Sequence, residues 1–121
     1  MTGAEILQAI NATALCIAND EPLDEHYSAA FASDLMSDAL MLIQSSPEKT
    51  VLITGLANPQ SLNTAEMLDI NLIILVRDKQ LDEEILKLAV SKKLNIFGTH
   101  YTMFETCGIL YEKGLGAIHV A

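Results

Sequence analysis

The apolar positions of the chain fall into two alternating rhythms. Short continuous aliphatic runs are separated by segments in which apolar residues recur every three or four positions. These are the signatures of strands buried on both faces and of amphipathic helices. Thr2-Gly3-Ala4-Glu5 carries the spacing of a capping box, and Ile6, Leu7 and Ile10 form a stripe behind it, so a short helix comes first. ALCIA (14–18) reads as a strand, the acidic stretch 19–25 around Pro22 as a turn, and YSAAFA (27–32) as a small-residue strand. Ser33 or Asp34 is placed to cap a helix running to about Ile43. Leu35, Ala39, Leu42 and Ile43 line one of its faces, while Met36 and Leu40 carry the apolar surface nearly all round. Ser45-Ser46-Pro47 ends it.

Beyond residue 50 the pattern is cleaner. TVLIT (50–54), NLIILV (71–76) and LNIFG (94–98) are the strand runs. Asn58-Pro59 opens a helix with Leu62, Ala65, Met67 and Leu68, a capping residue followed by proline at the first helical position. Asp82-Glu83-Glu84 gives the next helix a negative first turn, with Ile85, Leu88 and Ala89 at helical spacing and Lys92-Lys93 at its far end. A last helix over 101–113 carries Met103, Cys107, Leu110 and Tyr111, with Gly114 as its stop, and AIHV (117–120) is a weak terminal strand. Strand–helix alternation requires right-handed crossovers, so the expected fold is a three-layer α/β/α sandwich over a mostly parallel sheet of about five strands. A single domain over 1–121 accommodates it.

Charge narrows the partners. Seven basic against sixteen acidic residues give a net charge of −9, which argues against binding to nucleic acid or to an anionic membrane surface. Eight of the acids fall within 1–48, where there is no Lys or Arg. That end is either a solvated surface or a docking face for a basic protein partner. No apolar run reaches membrane-spanning length, and MTGAEILQAI lacks the basic residues of a leader, so a cytoplasmic location is expected. Cys16 and Cys107 lie in apolar stretches and read as buried reduced thiols, with no spacing that would hold zinc.

In an open parallel sheet, ligands gather outside the carboxyl ends of the strands. Three loops are marked by that rule: Thr54-Gly55-Leu56-Ala57-Asn58, Arg77-Asp78-Lys79, and Gly98-Thr99-His100-Tyr101-Thr102. Ser33-Asp34 and Ser37 follow an earlier strand and face the same crevice. Hydroxyls, amides and one arginine beside free helical N–H groups suit a phosphate or carboxylate, so Thr54, Gly55, Asn58, Arg77, Thr99 and His100 are the candidate ligand-binding residues. Thr54, Thr99 and the glycines are equally ordinary as caps and turns. No dinucleotide fingerprint, P-loop or nucleophile elbow is present, and His100 stands without an identifiable catalytic partner. Asp34 and Asp38 are four apart on the expected helix, yet two carboxylates are too few for a metal, and no metal or cofactor is assigned.

At these loops the sequence becomes recognisable. AFASDLMSDALMLI, followed by VLITGLANPQSLNTAEMLDINLIILVRDKQLDEEILKLAVSKKLNIFGTHYTMFETCGIL, resembles the DRTGG domain over about residues 28–112. That family includes the N-terminal domain of HPr kinase/phosphorylase, inserts between CBS domains of some inorganic pyrophosphatases, and domains attached to phosphotransacetylase. The chain is also similar to small stand-alone members that accompany iron-hydrogenase gene sets. The resemblance implies a three-layer α/β domain that dimerises and regulates rather than catalyses. Thr54 and Gly55 match the family's loop after the first central strand, where Leu56-Ala57-Asn58-Pro59 replaces the acidic–basic pair. Val76-Arg77-Asp78 stands where the family often has Thr-Gly-Gly, and Thr99, Tyr101 and Thr102 agree with its Thr-rich start of the last helix.

The leading expectation is a non-catalytic regulatory or sensor domain acting as a homodimer through Leu35, Met36, Ala39, Leu40 and Ile43, whose helix is too apolar for a free surface. A small-molecule module for a nucleotide or anionic metabolite is the alternative, compatible with the first. An adaptor that docks on a basic protein is the third.

Overall fold

The computed structural model describes residues 1–18, 21–43 and 49–118. Along the chain the elements are α1 (Gly3–Ala9), β1 (Thr13–Cys16), α2 (Glu21–Asp24), β2 (Ala29–Ala32), α3 (Met36–Ile43) and β3 (Thr50–Thr54). Then follow α4 (Pro59–Met67), β4 (Leu72–Leu75), α5 (Glu83–Ser91), β5 (Asn95–Gly98), α6 (Met103–Glu112) and β6 (Gly116–Ala117). Side-chain caps define the helix starts. Thr2, Asn58 and Thr102 close capping boxes, and Asp82 accepts from the Ile85 N–H at 2.8 Å.

The sheet has six strands in the order β1-β5-β4-β3-β2-β6, all parallel except β1, which pairs antiparallel with β5. The three-layer sandwich and the mostly parallel sheet are as expected; the strand count is one higher. Every residue of β3, β4 and β5 is buried, the burial pattern their continuous aliphatic runs require. From β2 to β5 each crossover steps the same way, so α3, α4 and α5 share a face. There Met36, Ala39, Ile43, Leu62, Ala65, Ile85 and Ala89 meet Leu52, Ile73, Leu75 and Ile96. From β5 the chain returns past β2, which puts α6 with α1 on the opposite face, where Ile6, Leu7 and Leu110 meet Val51, Ile53, Leu72, Ile74 and Phe97. Neighbours along each strand alternate between these two cores.

Several boundaries differ from the sequence expectation. The acidic stretch contains a one-turn helix, α2, although Asn19 and Asp20 lie outside the described residues, as do Ser45-Ser46-Pro47. The terminal strand is Gly116–Ala117, while His119 and Val120 lie outside the described residues. Its glycine is steric: a Cβ on Gly116 would stand 2.5 Å from the Ser28 carbonyl oxygen that its own N–H contacts. Helix α3 begins at Met36, so Asp34 precedes it, and Asp34 and Asp38 do not share a helix face.

Met36, Ala39 and Ile43 are buried within this single chain. Of the five residues assigned to a subunit contact, they are core, and their apolarity is accounted for by their own sheet. Leu40 is half-buried, and Leu35 keeps 58% of its surface.

At the sheet edge opposite the strand exits, Tyr27 is fully buried and donates to Asn71 Oδ1 at 2.7 Å. Asn71 Nδ2 donates to Glu25 Oε1 at 3.3 Å, and Lys49 both pairs with Glu25 and lies 5.6 Å over the Tyr27 ring. Burial, and secondarily the Glu25 charge, push the Tyr27 phenol above its ordinary range. A folded pKa raised above the unfolded value leaves stability whole below pH about 10 and erodes it above. Urea unfolding across pH 8–11 should therefore show the wild type losing stability above pH about 10 more steeply than Tyr27→Phe, which costs about 1–2 kcal/mol at neutral pH by leaving Asn71 Oδ1 without its phenol donor. In the same assay Ile74→Ala, at a fully buried position, should cost about 2–5 kcal/mol.

Candidate functional site

Because β2, β3, β4 and β5 run the same way, their carboxyl ends open at one edge, with Ala32 level with Ile53, Thr54 with Leu75, and Leu75 with Gly98. The short segment after β2 crosses this edge. Asp34 Oδ1 accepts the Gly55 N–H at 2.6 Å and the Thr54 hydroxyl at 3.1 Å, and Thr54 Oγ1 accepts the Leu56 N–H at 3.2 Å. Ser33 Oγ accepts the Leu35 N–H at 3.0 Å, which turns the chain so that Asp34 points along the edge.

Arg77 reaches the same place from β4. A Cβ on Gly55 would stand 3.3 and 3.4 Å from the two Asp34 oxygens and 3.5 Å from Arg77 Nη2. A carboxylate and a guanidinium thus flank one glycine, and the glycine is what leaves room for both. The ion pairs among the described residues are Lys49–Glu25, Lys87–Glu83 and Lys92–Glu66, so Arg77 makes no direct ion pair among them, with Asp34 or any other carboxylate. The backbone beneath it is strained. Arg77 and Asp78 both occupy the left-handed region, at φ 60° and 56°, a conformation that costs about 1–2 kcal/mol for a non-glycine residue. It is held by the Arg77 N–H on the Tyr101 carbonyl at 2.9 Å and the Asp78 N–H on the Thr99 carbonyl at 3.0 Å. Glycine would adopt that conformation without strain.

This main-chain seam divides the candidate residues. Thr54, Gly55 and Arg77 come together on one side, joined by Asp34. Thr99 and His100 lie on the other, where with Asn11, Thr13, Asp78 and Lys79 they line a separate cleft of about 180 Å³. The buried Thr99 hydroxyl donates to the Ile10 carbonyl at 2.8 Å, and the exposed His100 ring packs on Tyr101 with centroids 4.3 Å apart. Asn58 lies between the sites in sequence and is occupied as the α4 cap, its Oδ1 accepting the Ser61 N–H at 2.8 Å. The sequence reading placed Asp34 at the crevice but gave it no partner, since hydrogen bonds between residues twenty apart leave no local signal. Burial pushes the Cys16 and Cys107 thiols above their ordinary range, which keeps both protonated and poorly nucleophilic at neutral pH. Among the described residues no three His, Cys, Asp or Glu side chains converge as metal ligands, and no helix is long and apolar enough to cross a membrane.

No protein-family model matches the chain, and no curated protein matches it. A solved structure does: the CBS and DRTGG domains of the regulatory region of Clostridium perfringens pyrophosphatase, complexed with activator, diadenosine tetraphosphate. The two superpose with a TM-score of 0.64 at 18% sequence identity. What they share is the fold. The match covers 89% of this chain and 46% of that one, so this chain spans about half the length of its structural neighbour.

Replacing Arg77 with glycine separates scaffold from site. Relief of the left-handed strain, less the added freedom of the unfolded chain, should make Arg77→Gly more stable than wild type by about 0.5–1 kcal/mol in urea unfolding. Arg77→Ala, which keeps the strain, should not be stabilised.

Proposed function

We propose that this chain is a regulatory module of the DRTGG type that binds a phosphate-bearing small molecule at Thr54, Gly55 and Arg77 and performs no chemistry on it. One observation carries the reading: the exit of β3 already holds an anion, the Asp34 carboxylate, on a backbone N–H and a hydroxyl, with a free guanidinium across the same glycine. Donors arranged to seat one carboxylate suit a phosphoryl oxygen equally. Leu35 and Leu56, the next residues after Asp34 and Gly55, are 58% and 45% exposed and offer apolar surface beside the charge, as a nucleoside would use. The fold shared with a regulatory region that was solved with a dinucleotide activator is in keeping with this.

The rest of the proposal extends from there. The module is proposed to work in the cytoplasm, in iron-hydrogenase or related anaerobic metabolism, a reading suggested by its resemblance to stand-alone DRTGG members. It acts as a homodimer, for which Leu35, just before α3, and the half-buried Leu40 and the 65% exposed Met41 within α3 offer surface.

Thermal unfolding with diadenosine tetraphosphate, ATP and inorganic pyrophosphate tests the ligand. A compound present at a hundred times its dissociation constant should add about 2.7 kcal/mol, and Arg77→Ala should abolish the gain. No shift with any of the three, or an unchanged shift in Arg77→Ala, would overturn the site. Sedimentation at micromolar concentration tests the dimer: a single species of 13.2 kDa removes it, whereas a larger species that dissociates in Leu35→Lys/Met41→Lys supports the α3 contact.

A further inference from the structure

The contact that reveals the site also occupies it. Asp34 Oδ1 takes both the Gly55 N–H, at 2.6 Å, and the Thr54 hydroxyl, at 3.1 Å, which are the donors an incoming anion would need. We propose that Asp34 is an internal, displaceable anion: a tethered carboxylate that holds the β3 exit closed until a phosphate group takes its place. The inference rests on the ligand reading above and adds its regulation.

Three features of the contact fit displacement better than permanent scaffolding. First, Asp34 is exposed and lies outside both β2 and α3, so releasing it breaks no ladder or helical bond of its own. Second, the arginine positioned to neutralise an anion at Gly55 is not in a close ion pair with the anion already there. A carboxylate seated for stability alone would be expected to take the guanidinium bidentately; an arginine left unpaired, on a backbone strained to hold it there, has capacity for a further negative group. Third, a phosphate dianion carries more charge and more acceptor oxygens than a carboxylate, so it can compete where a solute carboxylate would not. The tether sets the threshold. A plug attached nearby acts at a high effective concentration and lowers the apparent affinity by the fraction of time the cradle is free. Ligands with weak charge are thereby rejected.

Displacement also has an output. One residue, Leu35, separates Asp34 from the first residue of α3, whose opening turn is made by the Asp38 and Ala39 N–H groups on the Leu35 carbonyl, at 3.2 and 3.3 Å. Freeing Asp34 loosens the segment that leads into that turn, and the site is thereby coupled to α3.

Titration calorimetry with inorganic pyrophosphate on wild type, Asp34→Asn, Asp34→Ala and Arg77→Ala tests this. Asparagine keeps an oxygen on the Gly55 N–H without the charge, and alanine removes both. Affinity should rise in the order wild type, Asp34→Asn, Asp34→Ala, with the last at least about tenfold tighter than wild type, and Arg77→Ala weakest. Measurable wild-type binding with no gain in either Asp34 variant overturns the plug and leaves the ligand site standing. Equal gains in both variants trace the effect to charge repulsion alone and likewise overturn displacement. No binding by any protein removes the ligand site itself. Should Asp34→Ala fail to fold, amide hydrogen exchange on the wild type decides. Pyrophosphate should speed exchange at Asp38 and Ala39 while leaving the buried amides of β4 unchanged, and slower or unaltered exchange at those two positions refutes the coupling.

Discussion

Parallel pairing of β2, β3, β4 and β5 is the constraint on which the molecule depends. Parallel strands cannot be joined by tight turns, so each connection must cross a face of the sheet as a helix, and each strand becomes buried on both sides. That burial explains the unbroken aliphatic runs. It also fixes which ends are loops and which are held. Since all four strands point one way, their exits collect along a single edge, and residues twenty or more positions apart are brought within hydrogen-bonding reach. Asp34 meets Gly55, and Arg77 approaches the same glycine, only because β2, β3 and β4 are adjacent and in register.

The two ends of the sheet use polar groups differently. At the amino-terminal edge Tyr27, Asn71, Glu25 and Lys49 form a chain in which each polar group meets another, an arrangement that fixes packing. At the carboxyl edge, satisfaction is uneven. Thr99 and Asn58 are fully engaged with the scaffold, whereas Arg77 sits on a strained backbone near Asp34 without a direct ion pair. Strain that the surroundings maintain, beside an arginine in no direct ion pair, is what supports the ligand proposal at this edge.

Much of the fold was legible in the residues. TVLIT and NLIILV announced buried strands by being apolar at every position, and Asn58-Pro59 announced a helix start by cap chemistry, because both signals are local. Helix α3 shows where locality fails. Its near-continuous apolarity was read as a second surface awaiting another subunit, but three of the residues concerned, Met36, Ala39 and Ile43, pack on the helix's own sheet. At the edge, the strand-exit rule selected Thr54, Gly55, Arg77, Thr99 and His100 as one group. It could not foresee that the Arg77–Asp78 main chain would hydrogen-bond to the β5 exit and part them. That seam depends on two left-handed residues, and neither arginine nor aspartate advertises such a conformation as glycine does.

The position of β6 has a consequence for how the chain is made. β2 gains its first neighbour when residue 54 has been synthesised, yet its other side stays open until Gly116 and Ala117 arrive to pair with Ala29 and Ala30. At about 5–20 residues per second on the ribosome, that leaves an unpaired flank for roughly 3–12 seconds. Such a flank is a template for wrong partners. Three of its four residues are alanine, which is poorly suited to extended pairing, so the nascent polypeptide presents a weakly adhesive border for as long as the border is bare.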